Sequence, residues 1–450
     1  MARHPTARPK RAGPPAAQSL AGLVVLRWAH GGEGVGIPAS GPLEGRVVFV
    51  PDAVPGDVVD LTIIEAKERW ARGRIARFVR PSPERVAVPC VIQGRCGGCP
   101  WMAGSAVAQA DSRRKILVGE LHKRLGLGAD PTVVAATVER FEMLESPTRL
   151  GYRQRVKLTF ERHGDGRVTL GFLGKKSHAL VDVARCEVAD ERINAALPEL
   201  RARLAELPAG SQGRVTLLAG AEGVAGVVKL NGSARNAALL ADGRDGQWIA
   251  FGPETVTLAL GDYRQSLSAR AFAQANGAVT GQMLATLEAW ATEARVSDED
   301  PWAVELFAGA GTLTMALWRA GWRVVAYEVA EAARAGFEAT RAAALVAPDR
   351  GHWHAADLAV GMPWPAPPAP TLVVLDPPRT GAAEVMPWVR ASGAKVVIYV
   401  SCDLATGLRD MALLTGDGRY RLTAVVGLDM FPHAGHQEVM FRAGLVAAEG

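Results

Sequence analysis

Five cysteines are the residues of this 450-residue chain whose types and spacing most clearly suggest chemistry. Cys90, Cys96 and Cys99 share a glycine-rich loop, where a tight backbone can present three thiolates to one centre, and Cys186 could supply a fourth ligand. Cys402 stands alone as a candidate catalytic thiol. The spacing predicts an iron-sulfur or a zinc centre, with a weak preference for iron-sulfur because structural zinc usually takes its cysteines as two short pairs. Buried cysteines that bind no metal are the alternative.

A glycine-rich turn is predicted after a strand at residues 303–306, with the sequence Phe-Ala-Gly-Ala-Gly at 307–311. Glycines let a nucleotide-like ligand approach the backbone at a helix N-terminus, and Glu328, at the end of the next strand, could accept hydrogen bonds from both ribose hydroxyls. Thr314 stands where the dinucleotide fingerprint has its third glycine. This difference favours adenosylmethionine over NAD.

Three further candidates, Asp357, Asp376 and Cys402, each follow a predicted strand in the region after residue 301, where strands and helices alternate as in a doubly wound parallel sheet. The carboxyl ends of parallel strands open onto the ligand crevice, and Asp357 could accept a hydrogen bond from an adenine amino group. If the final strand is antiparallel, Glu438 begins it at the same edge and lies toward Cys402.

The elements that position these residues are predicted in four parts. They are a disordered basic tail (1–18), a β-barrel (19–80), a mixed α+β domain with the cysteine loop (85–262) and the catalytic α/β domain (263–450). A net charge of +5 permits a polyanionic partner without demanding one. The end of the barrel carries the cations of a candidate nucleic-acid-binding face, namely Lys67, Arg69, Arg72, Arg74, Arg77 and Arg80.

The sequence has no run of about eighteen apolar residues, so we expect no membrane-spanning helix. The N-terminus lacks the apolar core of a secretory signal. With few cysteines, these features predict a protein of the reducing cytoplasm.

Several motifs in the catalytic part resemble those of the RNA uracil-5 methyltransferases. They are Glu305-Leu-Phe-Ala-Gly-Ala-Gly-Thr312, Asp376-Pro-Pro-Arg-Thr-Gly381, Tyr399-Val-Ser-Cys402, and Asp429-Met-Phe-Pro-His433 with His436-Gln-Glu438. Residues 272–276 resemble the family's Phe-x-Gln-x-Asn element, the four clustered cysteines resemble its 4Fe-4S motif, and residues 20–80 resemble its TRAM barrel.

The resemblance implies a Rossmann-like adenosylmethionine-dependent methyltransferase domain, an N-terminal OB-like TRAM β-barrel that binds RNA, and a central α+β iron-sulfur domain. It implies a nucleophile at Cys402 and a base at Glu438. It implies a 4Fe-4S cluster on Cys90, Cys96, Cys99 and Cys186, structural rather than redox-active. The implied adenosylmethionine contacts are Gln274, Phe307, Thr312, Glu328, Asp357 and Asp376.

The resemblance further implies methylation of carbon 5 of a uridine in 23S ribosomal RNA, through a covalent bond between Cys402 and carbon 6 of the base. Phe272 could stack on the flipped base, and Arg153 and Arg155 could contact phosphates. Two alternatives concern the reaction and its substrate: transfer RNA as the substrate, and a non-catalytic iron-sulfur RNA-binding protein. A cytosine-5 methyltransferase would carry a second cysteine where this chain has Arg379.

The chain departs from the family pattern after the thiol, where it has Asp403-Leu404 in place of the usual Asn-Pro. A carboxylate beside a thiol raises the pKa of that thiol by repulsion between like charges. We therefore expect Asp403 to raise the pKa of Cys402 if its carboxylate points inward.

Overall fold

The structure is a computed structural model that describes residues 19–124, 141–175, 177, 179–231, 248–295, 301–362 and 370–446. The chain forms two compact units, Met1–Ala87 with Pro100–Ser112, and Val88–Cys99 with Arg113–Gly450. The predicted tail at 1–18 lies outside the described residues, and the finer predicted boundaries remain predictions. Within the described ranges, no helix is both long enough and apolar enough to cross a membrane.

The first unit contains one six-stranded sheet. Alternation of buried and partly exposed residues along its longer strands places β-branched and aliphatic side chains on a shared core. Asp57 is fully buried, accepts hydrogen bonds from the backbone N–H groups of Val54 (2.7 Å) and Ser82 (2.8 Å), and pairs with Arg85 at 2.6 Å. In sheet order the strands are Ser19–Val24, Val58–Ala66, Trp70–Arg80, Val47–Val50, Gly34–Gly36 and Arg27–Trp28.

The basic residues predicted on this unit fall into two groups. Lys67 and Arg77 have acidic partners, Glu65 at 3.7 Å and Asp60 at 2.6 Å, and Arg72 is also paired. Within the described part of the chain, no ion pair forms at Arg69, Arg74 or Arg80. These three cations are therefore the ones left for an anionic partner.

The second unit begins with an antiparallel six-stranded sheet. The inner side chains of its strands, such as Val156 and Val215, pack against the helix Glu191–Ala205 through residues such as Leu197. Asp190 caps this helix by accepting a hydrogen bond from the Arg192 N–H. In sheet order the strands are Leu180–Asp182, Val168–Leu173, Arg155–Arg162, Gln212–Gly220, Gly223–Leu230 and Trp248–Phe251.

An eight-stranded sheet forms the remainder of the second unit. Its first five strands run parallel, as predicted, and their buried runs of Val, Leu and Ile fit a sheet covered on both faces. The final strand is antiparallel to Val396–Ser401, which confirms that prediction. In sheet order the strands are Gly351–Ala355, Arg323–Glu328, Trp302–Leu306, Leu372–Leu375, Val396–Ser401, Glu438–Leu445, Tyr420–Leu428 and Met143–Leu144.

The described residues also form one hairpin and further helices. The helix after the glycine-rich turn begins at Thr314. The hairpin pairs Val256–Leu260 with Tyr263–Leu267. The remaining helices are Ala106–Arg124, Gly277–Ala294, Thr314–Arg319, Arg334–Ala343, Met386–Ala391 and Leu404–Thr415, with short 3-10 helices at Glu331–Ala333, Pro348–Arg350 and Leu358–Val360.

Candidate active site

Cys402 lies between the strand Val396–Ser401 and the helix Leu404–Thr415, at the carboxyl edge of the eight-stranded sheet. Its thiol is partly buried. Burial raises the pKa of Cys402 to about 11, with a further contribution from Glu438 and Asp376, while Arg379 opposes the rise. The resting side chain is therefore a neutral thiol in an acidic environment.

Asp403 was expected to raise the pKa of this thiol only if its carboxylate points inward, and that condition is not met. The Asp403 carboxylate turns to the helix N-terminus, where it accepts hydrogen bonds from the Thr406 N–H (3.0 Å) and the Thr406 hydroxyl (3.2 Å). The charges with the largest effect on the pKa of Cys402 are those of Glu438, Asp376 and Arg379. The substitution of Asp for Asn therefore keeps the capping role, since both residue types are good N-caps.

Glu438 begins the final strand beside Cys402. The two strands are antiparallel and Ser401 pairs with Val439, so Glu438 lies opposite Cys402. Glu438 is only 6% exposed, and burial followed by repulsion from Asp376 raises its pKa to about 8. A carboxyl group with this pKa can give and take a proton near neutral pH.

Asp376 follows the strand Leu372–Leu375 and accepts a hydrogen bond from the Gln274 side-chain amide at 3.3 Å. Burial raises the pKa of Asp376 to about 7. Asp376 has the lower pKa of the two acids and ionises first, so its negative charge raises the pKa of Glu438. The structure thus brings Cys402, Glu438, Asp376 and Gln274 to one edge of the sheet.

The glycine-rich turn is held by Glu328. Its two carboxylate oxygens accept hydrogen bonds from the backbone N–H groups of Gly309 (3.1 Å) and Ala330 (2.8 Å). Phe307 adopts a left-handed backbone conformation with φ +62°, which is uncommon for a residue with a side chain and marks functional turns. Glu328 therefore shapes the turn whatever else it binds.

The other two predicted cofactor contacts have local partners. The Thr312 hydroxyl donates to the Gln265 side-chain oxygen at 3.0 Å. Asp357 is exposed and caps a short 3-10 helix by accepting from the Ala359 N–H at 3.0 Å. Each side chain retains hydrogen-bonding capacity for a ligand.

Sequence reasoning gave Thr314 no role beyond that of a missing glycine. In the structure its hydroxyl donates to Glu305, which is 1% exposed, and burial raises the pKa of Glu305 to about 8. Asp376 and Glu328 also raise the pKa of Glu305. The sequence did contain a signal for this pair. Glu305 is an acid within an otherwise apolar strand, where packing alone does not require a charged residue.

Sequence reasoning also missed Arg113, a buried arginine that supports the segment before Glu438. Arg113 is 1% exposed, pairs with Asp429 at 2.8 Å and donates to the backbone oxygen of His436 at 2.8 Å. Arg113 lowers the pKa of Glu438, opposing the effect of burial. No local pattern could have joined residues so distant in sequence.

The four clustered cysteines all lie in the second unit. Cys99 has the other three thiols among its electrostatic neighbours, and Arg153 stabilises its ionised form. Cys186 is fixed by Asn194, whose side-chain oxygen accepts from the Cys186 N–H at 2.9 Å. Burial raises the pKa of Cys99 to about 12.

These thiols have the donor chemistry of a metal site without its close arrangement. In the described ranges, no group of three or more His, Cys, Asp or Glu side chains is arranged to hold a metal ion. Cys90, Cys96 and Cys186 nevertheless all act electrostatically on Cys99, and the cation Arg153 beside them suits a thiolate-ligated centre, because such centres carry net negative charge.

Comparison with known proteins gives consistent relatives over nearly the whole chain. Residues 27–76 match the TRAM domain family. A 23S rRNA (uracil(1939)-C(5))-methyltransferase RlmD of Pectobacterium atrosepticum is 31% identical over 414 residues, covering 88% of this chain and 88% of the relative. The protein of the same name from Chromohalobacter salexigens is 32% identical, covering 93% of this chain and 88% of the relative.

The chain belongs to the RlmD-type family of RNA uracil-C5 methyltransferases. Among solved structures, a Pyrococcus abyssi tRNA (uracil-54, C5)-methyltransferase in complex with S-adenosyl-L-homocysteine superposes with a TM-score of 0.65, at 22% identity, covering 94% of this chain and 99% of that one. This likeness shows the methyltransferase fold. This chain thus combines an N-terminal TRAM domain with a mixed α/β methyltransferase fold.

Proposed function

We propose that this protein methylates carbon 5 of a uridine in 23S ribosomal RNA with S-adenosylmethionine as methyl donor. The proposal rests mainly on the proximity of Cys402, Glu438 and Asp376 at the carboxyl edge of the sheet. The strand register puts Glu438 opposite Cys402, and both acids act electrostatically on the thiol. The choice of ribosomal RNA is supported by relatives named as 23S rRNA enzymes over 88% or more of their length.

Cys402 is proposed as the nucleophile. Carbon 5 of uracil is a poor nucleophile, so the thiolate adds to carbon 6 and the electron pair of the double bond moves to carbon 5 as an enolate. Bound adenosylmethionine supplies the methyl group that carbon 5 receives. Arg379 favours the thiolate by lowering the pKa of Cys402.

Glu438 is proposed as the base that completes the reaction. It removes the proton from carbon 5, the electron pair re-forms the double bond, and the bond between carbon 6 and Sγ of Cys402 breaks. Its position beside the thiol and its pKa of about 8 support this role. The same pair argues against a non-catalytic RNA-binding protein, which would need neither residue.

Six residues are proposed to hold adenosylmethionine. The glycine-rich turn shaped by Glu328 lies next to the strand end that carries Asp376, which is the usual ligand position in a doubly wound sheet. Buried Glu305, whose pKa is about 8, holds a proton in the resting protein and can ionise when a sulfonium cation binds nearby. The proposed contacts are Gln274, Phe307, Thr312, Glu328, Asp357 and Asp376.

Recognition of a flipped uridine is proposed for Phe272 and its neighbours. Phe272 is 61% exposed, which is unusual for a large aromatic side chain, and the Arg155 guanidinium lies 5.8 Å from its ring centroid. Arg155 also donates to the backbone oxygen of Ala271 at 3.2 Å. An exposed ring next to a cation can stack on a base while the cation contacts the adjacent phosphate.

A 4Fe-4S cluster on Cys90, Cys96, Cys99 and Cys186 is proposed as a structural cofactor. The proximity of the four thiols and the nearby Arg153 support it. Protein purified without oxygen should contain iron and acid-labile sulfide and absorb broadly in the visible range. Stoichiometric zinc without iron would replace this proposal with a zinc site.

Nucleoside mapping of ribosomal and transfer RNA, from cells with and without the gene, tests the reaction and the substrate together. We expect one 5-methyluridine of 23S RNA to disappear and to return on complementation with the wild-type gene but not with Cys402→Ala. Loss from transfer RNA would keep the mechanism and change the substrate. An unchanged map in both RNAs would contradict the proposed function.

A further inference from the structure

A buried carboxylate outside the proposed chemistry connects the segments that carry the reactive residues. Asp410 is completely buried in the helix Leu404–Thr415, and three hydrogen bonds and an ion pair converge on it. Its Oδ2 atom accepts from the Tyr399 hydroxyl at 2.6 Å and from the Ala382 N–H at 2.7 Å. Its Oδ1 atom accepts from the Arg409 Nε at 2.9 Å and forms an ion pair with Arg409 Nη2 at 2.7 Å.

The donors come from the two sides of the site. Tyr399 belongs to the strand that delivers Cys402, and Asp410 belongs to the helix that follows Cys402. Ala382 lies on the loop that begins at Asp376, and this loop receives a second bond when Arg409 Nη2 donates to its Thr380 oxygen at 2.9 Å. One carboxylate therefore joins the strand and the helix around the thiol to the loop beside it.

The loop packs so closely against this carboxylate that Gly381 cannot carry a side chain. A Cβ atom at Gly381 would lie 2.4 Å from Arg409 Nη2 and 2.5 Å from Asp410 Oδ2. Gly381 also has φ +82°, a conformation that L side chains rarely adopt. Both constraints fix the loop against Asp410.

We infer that Asp410 is a positioning residue for the methyl transfer, because it holds the Asp376 and Arg379 loop at a fixed place relative to Cys402. The inference rests on the proposed function for its catalytic meaning. The charged neighbours of the thiol are Glu438 on the final strand and Asp376 and Arg379 on the loop. Two of these three charges therefore depend on the Asp410 anchor.

The physical consequence is specific. Arg379 is the cation that favours the thiolate, and its side chain is exposed, so the loop sets its distance from the sulfur. Releasing the loop displaces both Arg379, which favours the thiolate, and Asp376, which opposes it, so the pH at which the thiol ionises shifts. A displacement of about 1 Å also costs up to about 100-fold in rate, because the reacting groups lose their alignment.

Two variants test the anchor. Tyr399→Phe removes one hydrogen bond to Asp410, and Asp410→Asn replaces an acceptor by an amide that must turn a donor toward Ala382 or Arg409. Tyr420→Phe is the matched control, because the buried Tyr420 hydroxyl donates to the Ala394 oxygen at 2.9 Å and not to Asp410. Asp417→Asn, at an exposed carboxylate 3.6 Å from Arg390, controls for the change to an amide.

The readout is the rate at which iodoacetamide alkylates Cys402 as a function of pH, followed by peptide mass spectrometry, together with kcat and KM for methylation. In both test variants we expect the alkylation rate near pH 8 to differ from that of wild type by at least about threefold and to converge with it at high pH, because only the thiolate reacts. We expect kcat to fall about 10- to 100-fold while KM for RNA changes less than about threefold.

The controls should match wild type in both measurements. Equal alkylation profiles and equal kcat in Tyr399→Phe and Tyr420→Phe would overturn the inference and leave Asp410 a residue of the core alone. If Asp410→Asn does not fold, the alkylation profile and kcat of Tyr399→Phe alone test the inference. Alkylation needs no RNA, so a wild-type protein that methylates nothing would refute the proposed function while the alkylation comparison still decides the role of Asp410.

Discussion

Replacing Glu438 by glutamine should change how the stability of the protein depends on pH. Glu438 is 6% exposed, and burial raises its pKa from 4.5 to about 8. Between these values the folded protein holds a proton that the unfolded chain has released. Stability therefore falls as pH rises through this window, and Glu438 contributes to that fall.

The size of the effect follows from the pKa. Each tenfold change in an equilibrium constant corresponds to about 1.4 kcal/mol, so ionisable Glu438 destabilises the fold by about 2 kcal/mol near pH 6 and by about 5 kcal/mol near pH 9. Glutamine has the same shape and cannot ionise. The gain in unfolding free energy of Glu438→Gln over wild type should thus be about 3 kcal/mol larger near pH 9 than near pH 6.

Urea unfolding of both proteins at the two pH values measures this difference, with tryptophan fluorescence as the signal. Glu384→Gln is the control, because Glu384 is exposed in the same unit. Its replacement should change the unfolding free energy by about the same amount at both pH values. The reasoning is refuted if the stability difference between Glu438→Gln and wild type is the same at both pH values. The same variant should also accumulate an RNA adduct that survives a denaturing gel, since the base that completes the reaction is gone.

Three further predictions concern activity and folding. Cys402→Ala should abolish methylation while equilibrium dialysis still detects adenosylmethionine binding, and residual turnover would exclude Cys402 as the nucleophile. In wild type, kcat/KM should rise with pH through about 8 as Glu438 loses its proton and continue to rise toward about 11 as Cys402 ionises. A flat profile of initial rates around pH 8 would contradict the role of Glu438 as base. Arg113→Leu should destabilise the fold by about 3 kcal/mol in urea, because buried Asp429 would lose its ion pair at 2.8 Å and keep the longer one with Arg149 at 3.7 Å. A loss below about 1 kcal/mol would show that Arg149 compensates for the missing charge.

The positions of Cys402, Asp376 and Glu438 could be predicted from sequence because each lies at the end of a strand. A buried strand followed by a functional residue is a local pattern, and parallel topology then brings such ends to one edge. The same logic placed Glu438 correctly, since an antiparallel final strand begins where its neighbour ends. These arguments needed only strand direction, not side-chain detail.

The supporting residues could not be predicted in this way. Asp410 follows an arginine on an amphipathic helix, where an acid normally faces water, and only the packing of Tyr399 and Ala382 around it reveals the buried network. Arg113 lies in a helix whose charges look solvent-facing. The direction of the Asp403 carboxylate could not be read from the sequence either. Asp403 is next to Cys402 in the chain, but its carboxylate turns to the helix N-terminus and accepts from the Thr406 N–H.

The buried acids of the site have a consequence for turnover. Glu305, Asp376 and Glu438 have pKa values raised to about 8, 7 and 8, so the resting cleft stores protons at neutral pH. Acids held in this way release protons when a sulfonium cation enters, and take them up again when only a neutral thioether remains. The cleft therefore exchanges protons for the charged methyl donor, and its electrostatic attraction for the ligand weakens once the neutral thioether has formed.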